Sequence, residues 1–378
     1  MNFDEIRPYY DKEVPKMVKQ LLKANQFREI IEEIYPELPY EEFETKAKNI
    51  KDIQQFQNEI ILPTFKRLMK KSSDAINFKG VENIKKGEPY LFVSTHRDIV
   101  LDSALLNYVL NNQGFDTAEI AIGDNLMIIP WVVDLVKLNK SFIVKRNVQK
   151  EEKVKASIEL SNYINYTILK KKNSIWIAQR SGRSKDGDDR TSQSLIKMFN
   201  LGGTMDTAIE NIQSLNICPV AISYEYNPCD AMVIPELISK EKGEKYEKAP
   251  LEDMQHMAMG IEGYKGKVVV SFGKSINEEL EQLKVLKNRK EIFNGIVKAI
   301  DNQIHEIYHL MNTNYIAFDL MNNNNDFSAH YTDEQKQKFI LYMDSRLKEI
   351  GGDQSIIRQT FLKMYANPVI NKLALQAK

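Results

Sequence analysis

The feature that most limits what this chain can fold into is the alternation of short apolar runs with helical stretches between residues 79 and 280. The apolar runs are rich in branched and aromatic side chains, which is typical of buried strands. They cover residues 90–95, 118–122, 141–144, 174–178, 217–226 and 267–272. Strands that alternate with helices form a mainly parallel sheet with helices on both faces. The sequence therefore predicts an α/β fold.

The two ends of the chain have a helical pattern instead. Residues 1–78 place apolar side chains three and four positions apart between charged ones, which predicts amphipathic helices. From residue 281 the pattern is helical again, and Thr332 followed three positions later by Gln335 has the spacing of a capping box. We therefore expect a helical N-terminal domain (1–78), an α/β domain (79–280) and a helical C-terminal region (281–378).

Composition narrows the class of protein. Lysine plus arginine equals aspartate plus glutamate at 52 each, so no overall positive field favours nucleic acid. Two cysteines, Cys218 and Cys229, are too few for a disulfide framework in so long a chain. The first residues lack the layout of a signal peptide, and no apolar stretch reaches the 18 or so residues of a membrane span. We expect a cytoplasmic protein with no nucleic-acid partner.

A polar cluster follows the first of the predicted strands in this domain. The stretch HRDIVLD occupies residues 96–102, directly after the strand and directly before a helical pattern. The carboxyl ends of strands are where open α/β sheets bind ligands. His96 with Asp102 six positions later suits a general base oriented by a carboxylate that stabilises the charge the imidazole gains. The alternative is a polar capping cluster in which Asp98 serves the helix N-terminus.

Basic residues follow two further predicted strands. Residues 137–190 contain fourteen lysines and arginines against six acids, and some of them belong to a solvated helix face. Others come directly after strands 141–144 and 174–178: Lys145, Arg146, Arg180, Arg183 and Lys185. Arginine offers a forked contact to phosphate and lysine a point charge. These strand ends therefore predict a phosphate site beside the histidine.

Other chemistries fit the sequence less well. A serine hydrolase would need G-x-S-x-G, which is absent, and the other histidines show no zinc-ligand pairing with His96. The stretch FGKS at 272–275 resembles the end of a P-loop, but Val268 stands in place of its first glycine. We expect neither a metal nor a bound cofactor.

The blocks HRDIVLD, FIVKR, QRSGRSKDG and ICPVAISYE, in this order, resemble the four motif blocks of the glycerolipid acyltransferases over about residues 80–280. These enzymes transfer an acyl chain from an acyl-CoA or acyl-carrier-protein thioester to glycerol 3-phosphate or to its monoacyl form, lysophosphatidate. The resemblance implies an O-acyltransferase of phospholipid synthesis. The arginine after His96, the FIVKR form and the RSKDG ending are closer to the enzymes that use glycerol 3-phosphate. A lysophosphatidate acyltransferase, a non-catalytic relative that binds acyl-carrier protein or lipid, and a thioesterase remain alternatives.

The resemblance also implies roles for individual residues. His96 matches the general base and Asp102 the acid that orients it. The matching substrate-binding residues are Arg97, Lys145, Arg146, Ser181, Gly182, Arg183 and Lys185. The family separates its histidine and aspartate by four residues, whereas five intervene here, so either the turn holds an extra residue or Asp98 takes the orienting role. Ser181 stands where the family has a glutamate that is thought to bind the acceptor glycerol.

The apolar segment LMIIPWVVDLVKL (126–138) allows two interpretations. With Trp131 it suits contact with an acyl chain or a bilayer surface, since tryptophan favours the membrane interface. It equally suits an ordinary sheet-covering helix kinked at Pro130. On the first interpretation we expect peripheral contact with the inner face of the cell membrane.

Overall fold

The computed structural model describes residues 2–127, 129–146, 148–149 and 151–377. The strands in this part of the chain are β1 (Ala75–Lys79), β2 (Leu91–Ser94), β3 (Glu119–Gly123), β4 (Ser141–Val144), β5 (Ile175–Ala178), β6 (Ile217–Tyr224) and β7 (Lys267–Phe272). The first nine helices are α1 (Val14–Leu21), α2 (Asn25–Ile34), α3 (Tyr40–Lys48), α4 (Ile53–Phe56), α5 (Leu62–Ser72), α6 (Leu101–Asn112), α7 (Pro130–Leu138), α8 (Lys153–Tyr166) and α9 (Gln193–Leu201). The later helices are α10 (Ala208–Ser214), α11 (Asp230–Glu241), α12 (Glu252–Glu262), α13 (Asn277–Gln282), α14 (Arg289–Ile307), α15 (Asn312–Asn322), α16 (Asp333–Leu347) and α17 (Gln354–Gln376).

The strands form one sheet in the order β1-β7-β6-β2-β5-β3-β4. Neighbours from β6 to β4 are parallel, β7 is antiparallel to β6, and β1 is parallel to β7. This sheet, flanked by helices, confirms the predicted fold class. Strand β1 was not predicted, and it falls mostly within the region expected to be helical. It lies at the edge of the sheet, where its partly exposed residues need no continuous apolar run.

Both faces of the sheet are buried, as a parallel sheet requires. Successive residues of a strand point to opposite faces. Leu91 and Val93 accordingly join the core under α8, α9 and α14, whereas Phe92 joins the core under α6 with Leu105. Each such side chain contributes roughly 1.5–3 kcal/mol when it is fully buried. The strand ends, which carry the polar residues, are therefore fixed by a core on each side.

Helix α7 packs on the N-terminal helices. Trp131 lies 6.1 Å from Phe27 between ring centroids and donates its indole N–H to Gln26. Leu138 is fully buried in the same cluster. Pro130 begins α7 and does not kink it, because proline suits the first helical turn. These contacts favour the interpretation of segment 126–138 as a helix that covers the rest of the protein. Ile128 of this segment lies outside the described residues. None of the described helices has the length and apolar character that crossing a membrane requires.

The C-terminal helices form a further core around α17. The carboxylate of Asp230 is fully buried at the start of α11 and accepts hydrogen bonds from Tyr342, Tyr365 and Arg346. This ties α11 to α16 and α17. Helix α16 follows Thr332, whose hydroxyl accepts the expected capping bond from the backbone of Gln335. The division of the chain into three regions stays a prediction.

Candidate active site

A pocket of about 570 Å³ opens at the carboxyl ends of β2, β3, β4 and β5. Its volume lies in the range of small-molecule sites. The loop after β2 contributes His96, and β3 contributes its last residue, Gly123. Arg146 follows β4, and the loop after β5 contributes residues 180–183 and Lys185. The parallel sheet therefore brings together the motif blocks that are far apart in the sequence.

His96 lies in an irregular loop between β2 and α6. Its Nδ1 is 2.9 Å from Oδ2 of Asp102, the second residue of α6. The imidazole is 15% exposed and lines the pocket, whereas the Asp102 side chain is 1% exposed behind it. No described residue makes a hydrogen bond to Nε2 of His96. Because Nδ1 faces the carboxylate, Nε2 is the nitrogen able to take a proton from a group in the pocket.

Asp102 is held by three further hydrogen bonds. Its Oδ2 accepts from the backbone N–H groups of Arg97 at 2.6 Å and Asp98 at 3.0 Å. Its Oδ1 accepts from the hydroxyl of Tyr224 at 2.7 Å. Burial raises the pKa of Tyr224 well above its usual value, and the charge of Asp102 adds to this, so the hydroxyl stays a donor. The backbone and Tyr224 thereby fix the carboxylate toward His96.

The sequence reasoning missed Tyr224. The residue closes β6, the strand beside β2, and stands in the fourth motif block. An aromatic residue in a strand is usually interpreted as part of the hydrophobic core. Only the position of Tyr224 at the carboxyl end of the strand next to β2 indicates a role in the site.

Asp98 occupies a different place from Asp102. Its Oδ1 accepts from the backbone N–H groups of Val100 at 2.8 Å and Leu101 at 2.7 Å, which caps the start of α6. Burial raises its pKa, and the neighbouring charge of Asp102 raises it further. Compared with the family spacing, His96 and Asp102 are separated by one extra residue. This residue lies in the loop before α6, where Asp98 caps the helix.

Two guanidinium groups face the pocket without a carboxylate partner in the described part of the chain. Arg146 is one of them, and it lies beside Gly123. Arg183 is the other, and its Nη2 is hydrogen-bonded to Nδ1 of His256, an uncharged partner. Neither group makes an ion pair with a described carboxylate, although the charge of Arg183 helps to lower the pKa of nearby Asp253. Both guanidinium groups can therefore still bind an anion.

The remaining cations of the pocket are paired with acids. Lys185 makes an ion pair with Glu236 of α11, and Arg180 lies 3.4 Å from Asp186. Burial lowers the pKa of Lys185, although Glu236 opposes this. The charge of these two cations is offset within the protein, in contrast to Arg146 and Arg183.

Arg97 does not lie where the prediction placed it, and this is a correction. Its guanidinium donates to both carboxylate oxygens of Asp189, at 3.0 and 2.6 Å, and its side chain is only 8% exposed, away from the pocket lining. Burial acts to lower the pKa of Arg97, but Asp189 outweighs it and the pKa is raised. In the structure Arg97 therefore binds the loop after β5 and does not line the pocket.

Lys145 is a second correction. It follows the same strand as Arg146, but its ammonium is bound by Glu5 at 2.6 Å and Glu159 at 3.0 Å, and it does not line the pocket. Neighbouring residues of an extended segment point in opposite directions, so only one of the two can face the site.

Ser181 and Gly182 of the third block line the pocket, and their role in binding substrate stays a prediction. Gly182 has φ of +78°, and this conformation turns the loop between Arg180 and Arg183. The opposite wall of the pocket is lined by Glu236 of α11, Asp253 of α12 and Lys248 of the segment between these helices. No motif in the sequence indicated these three residues.

The rest of the pocket combines apolar side chains with polar ones such as Asn125 and Ser192. Its lining includes Ile120, Ile122, Val144, Leu160, Trp176, Leu195 and Met198. The pocket therefore joins a base and two free guanidinium groups to an apolar surface. Among the described residues, no group of three or more histidines, cysteines or acids is arranged to hold a metal ion.

Two comparisons with known proteins found a similarity, and one found none. The acyltransferase family model matches residues 75–223. No curated protein matches the chain. The crystal structure of the 1-acyl-sn-glycerophosphate (LPA) acyltransferase PlsC from Thermotoga maritima is 14% identical and matches 77% of this chain and 97% of its own, with a TM-score of 0.36. The family match confirms the resemblance seen in the motif blocks. The residues matched by the acyltransferase family model include His96, Asp102, Arg146 and Arg183 of the pocket.

Proposed function

We propose that this acyltransferase moves a fatty acyl group from an acyl-CoA or acyl-carrier-protein thioester to a hydroxyl of glycerol 3-phosphate, in phospholipid synthesis. One observation carries the proposal. The His96–Asp102 pair opens on the same pocket as Arg146 and Arg183, neither of which makes an ion pair with a described carboxylate. A base for a hydroxyl and a receptor for a phosphate thus share one cavity.

The chemistry of the transfer needs only the groups at this site. Nε2 of His96 takes the proton of the acceptor hydroxyl as its oxygen attacks the thioester carbonyl carbon. Asp102 stabilises the imidazolium that forms. The tetrahedral intermediate collapses with loss of the thiolate, which receives the proton from the imidazolium. The products are the acyl ester and the free thiol, and His96 returns to its neutral form.

The acceptor is recognised by its phosphate. Arginine binds phosphate with two parallel hydrogen bonds, which sets direction as well as affinity. Holding the phosphate on Arg146 and Arg183 leaves the glycerol hydroxyls to reach His96. Positioning of this kind lowers the barrier because the two reactants no longer have to meet at random.

The acyl chain of the donor takes the apolar part of the pocket. Its lining from β3, β4, α8 and α9 offers contact along a hydrocarbon chain, which is stabilised by about 0.8 kcal/mol for each buried methylene group. The donor and the lipid product are both amphiphilic. We accordingly place the enzyme in the cytoplasm, in peripheral contact with the inner face of the cell membrane.

An assay with radiolabelled palmitoyl-CoA tests the proposal. With glycerol 3-phosphate present, we expect labelled acylglycerol phosphate, and without it no release of free fatty acid beyond the background. Parallel reactions use lysophosphatidate as acceptor and palmitoyl-acyl-carrier protein as donor. Product from lysophosphatidate alone would show that lysophosphatidate, and not glycerol 3-phosphate, is the acceptor. Free fatty acid would indicate a thioesterase. No turnover with either donor would indicate a binding protein.

A further inference from the structure

The partner of Arg183 is the feature that the family motifs leave unexplained. His256 lies on α12, which follows the matched domain in the chain. Its side chain is buried at 1% exposure, and its Nδ1 is hydrogen-bonded to Nη2 of Arg183. A guanidinium only donates, so Nδ1 is the acceptor and the imidazole is neutral with its hydrogen on Nε2. Burial, reinforced by the charge of Arg183, lowers the pKa of His256 to about 4.

An uncharged acceptor differs from the other partners of cations near the site. Asp189 offsets the charge of Arg97, and Glu236 offsets that of Lys185. A carboxylate at position 256 would fix Arg183 equally well but would reduce its attraction for an anion. Asp98 and Asp253 already interact electrostatically with Arg183. An imidazole fixes the guanidinium without adding a further negative charge beside it.

Simple packing does not account for this histidine. Its Nε2 is buried and has no hydrogen-bond partner in the described part of the chain. A buried donor without a partner costs roughly 1–3 kcal/mol, which an apolar residue of similar size would avoid. The contact with Arg183 is therefore what the imidazole provides at this position.

We propose that His256 is a positioning residue that holds Arg183 toward the phosphate of the acceptor without offsetting its charge. The inference rests on the proposed function, because it takes the acceptor to be a phosphate monoester. The contact with His256 holds Arg183 in one orientation before the acceptor binds. The order this imposes on Arg183 before binding also reduces the side-chain entropy lost when the phosphate arrives.

Three substitutions at position 256 distinguish the effect of holding Arg183 in place from the effect of adding a negative charge beside it. His256→Asn keeps an acceptor oxygen close to the place of Nδ1, His256→Asp keeps the acceptor and adds a charge, and His256→Ala removes both. The affinity for glycerol 3-phosphate is measured by calorimetry at pH 7.5, and KM for the acceptor is measured separately from kcat. His330→Ala is the control, since this imidazole is exposed and stacks on Tyr315.

We expect the asparagine variant to bind glycerol 3-phosphate within about threefold of the wild type. The alanine and aspartate variants should each bind at least about tenfold more weakly, the size of one lost charge-assisted contact, with kcat changed less than KM. Equal affinities for the asparagine and aspartate variants would overturn the inference, because charge at position 256 would then not matter. So would an alanine variant that binds as well as the wild type.

Nitrogen-15 NMR of the histidine ring tests the inference independently of turnover. The wild type should show His256 as the neutral tautomer with hydrogen on Nε2, and a hydrogen on Nδ1 would overturn the assignment even in an active enzyme. If the wild type binds glycerol 3-phosphate but transfers no acyl group, the proposed function fails while the affinities still decide the inference. A wild type that binds neither glycerol 3-phosphate nor inorganic phosphate would contradict both.

Discussion

At the scale of single residues, the two carboxylates after β2 have separate positions. Asp102 contacts His96 and accepts from Tyr224, whereas Asp98 accepts only backbone N–H groups at the start of α6 in the bonds described here. The sequence favoured Asp102 for orienting His96 and Asp98 for capping the helix, but helical geometry could not decide between them because it does not apply to a loop. The position of the loop depends on contacts that lie far away in the chain.

This difference predicts opposite effects of two amide substitutions. Asp102→Asn should reduce kcat strongly, by about a hundredfold or more, since the imidazolium loses its counter-charge. Asp98→Asn should leave kcat within a few fold and cost about 1 kcal/mol of unfolding free energy, as for a weakened helix cap. Turnover and urea unfolding of both variants decide the matter. An inactive but stable Asp98→Asn beside an active Asp102→Asn would reverse the roles.

The arginines of the pocket make a second prediction at this scale. Arg146→Ala should raise KM for glycerol 3-phosphate at least about tenfold, with a much smaller effect on KM for the acyl thioester, because a free guanidinium is lost from the phosphate site. Arg180→Ala is the matched control, since Arg180 lines the same pocket but faces Asp186. Equal effects on both substrates for Arg146→Ala would contradict a role in binding the phosphate.

At the scale of elements, α12 contacts both functional loops. His256 meets Arg183 of the loop after β5, and Gly260 lies against Asp98 of the loop after β2. A Cβ on Gly260 would come within 2.0 Å of Oδ2 of Asp98. Apolar periodicity predicted the strands and their ends, but it did not indicate which later helix would cover the site. Such packing depends on tertiary contacts between distant parts of the chain.

Gly260→Ala tests the contact between α12 and the His96 loop. In an ordinary helix this change stabilises by up to about 1 kcal/mol. Here the methyl group must displace Asp98, so we expect the variant to be destabilised by about 1–3 kcal/mol and kcat to fall. Thermal unfolding and turnover measure the two effects. Gly351→Ala is the control, since a Cβ there meets no atom within 4 Å, and a stabilised, fully active Gly260→Ala would refute the contact.

At the scale of the whole molecule, the C-terminal helices support the loop after β5. Asn367 of α17 donates to the backbone carbonyl of Asp186 at 2.6 Å, and the backbone of Gly187 lies against the carbonyl oxygen of Met364. The helical character of this region was predictable from its periodicity. Its support of residues 180–190 was not, because these polar contacts leave no periodic pattern in the sequence.

Alanine substitutions at two glycines of this loop distinguish the cost of backbone strain from the cost of disturbed packing on α17. Gly182 and Gly187 both have positive φ, at +78° and +73°, so alanine should cost about 1–2 kcal/mol at either position. A Cβ on Gly187 would also come within 2.1 Å of the Met364 carbonyl oxygen, whereas Gly182 has open space around it. Gly187→Ala should therefore be the less stable variant by at least about 1 kcal/mol in urea unfolding. Equal losses would show that α17 does not hold the loop.

The central claim is that His96 is the general base of an acyl transfer, and the turnover of His96→Ala tests it most directly. The measurement is kcat with palmitoyl-CoA and glycerol 3-phosphate, alongside circular dichroism and thermal unfolding to establish that the variant is folded. The account predicts a folded protein whose kcat is lower by at least about a hundredfold, the usual scale for loss of a general base. Turnover close to that of the wild type in a folded His96→Ala protein would contradict the mechanism.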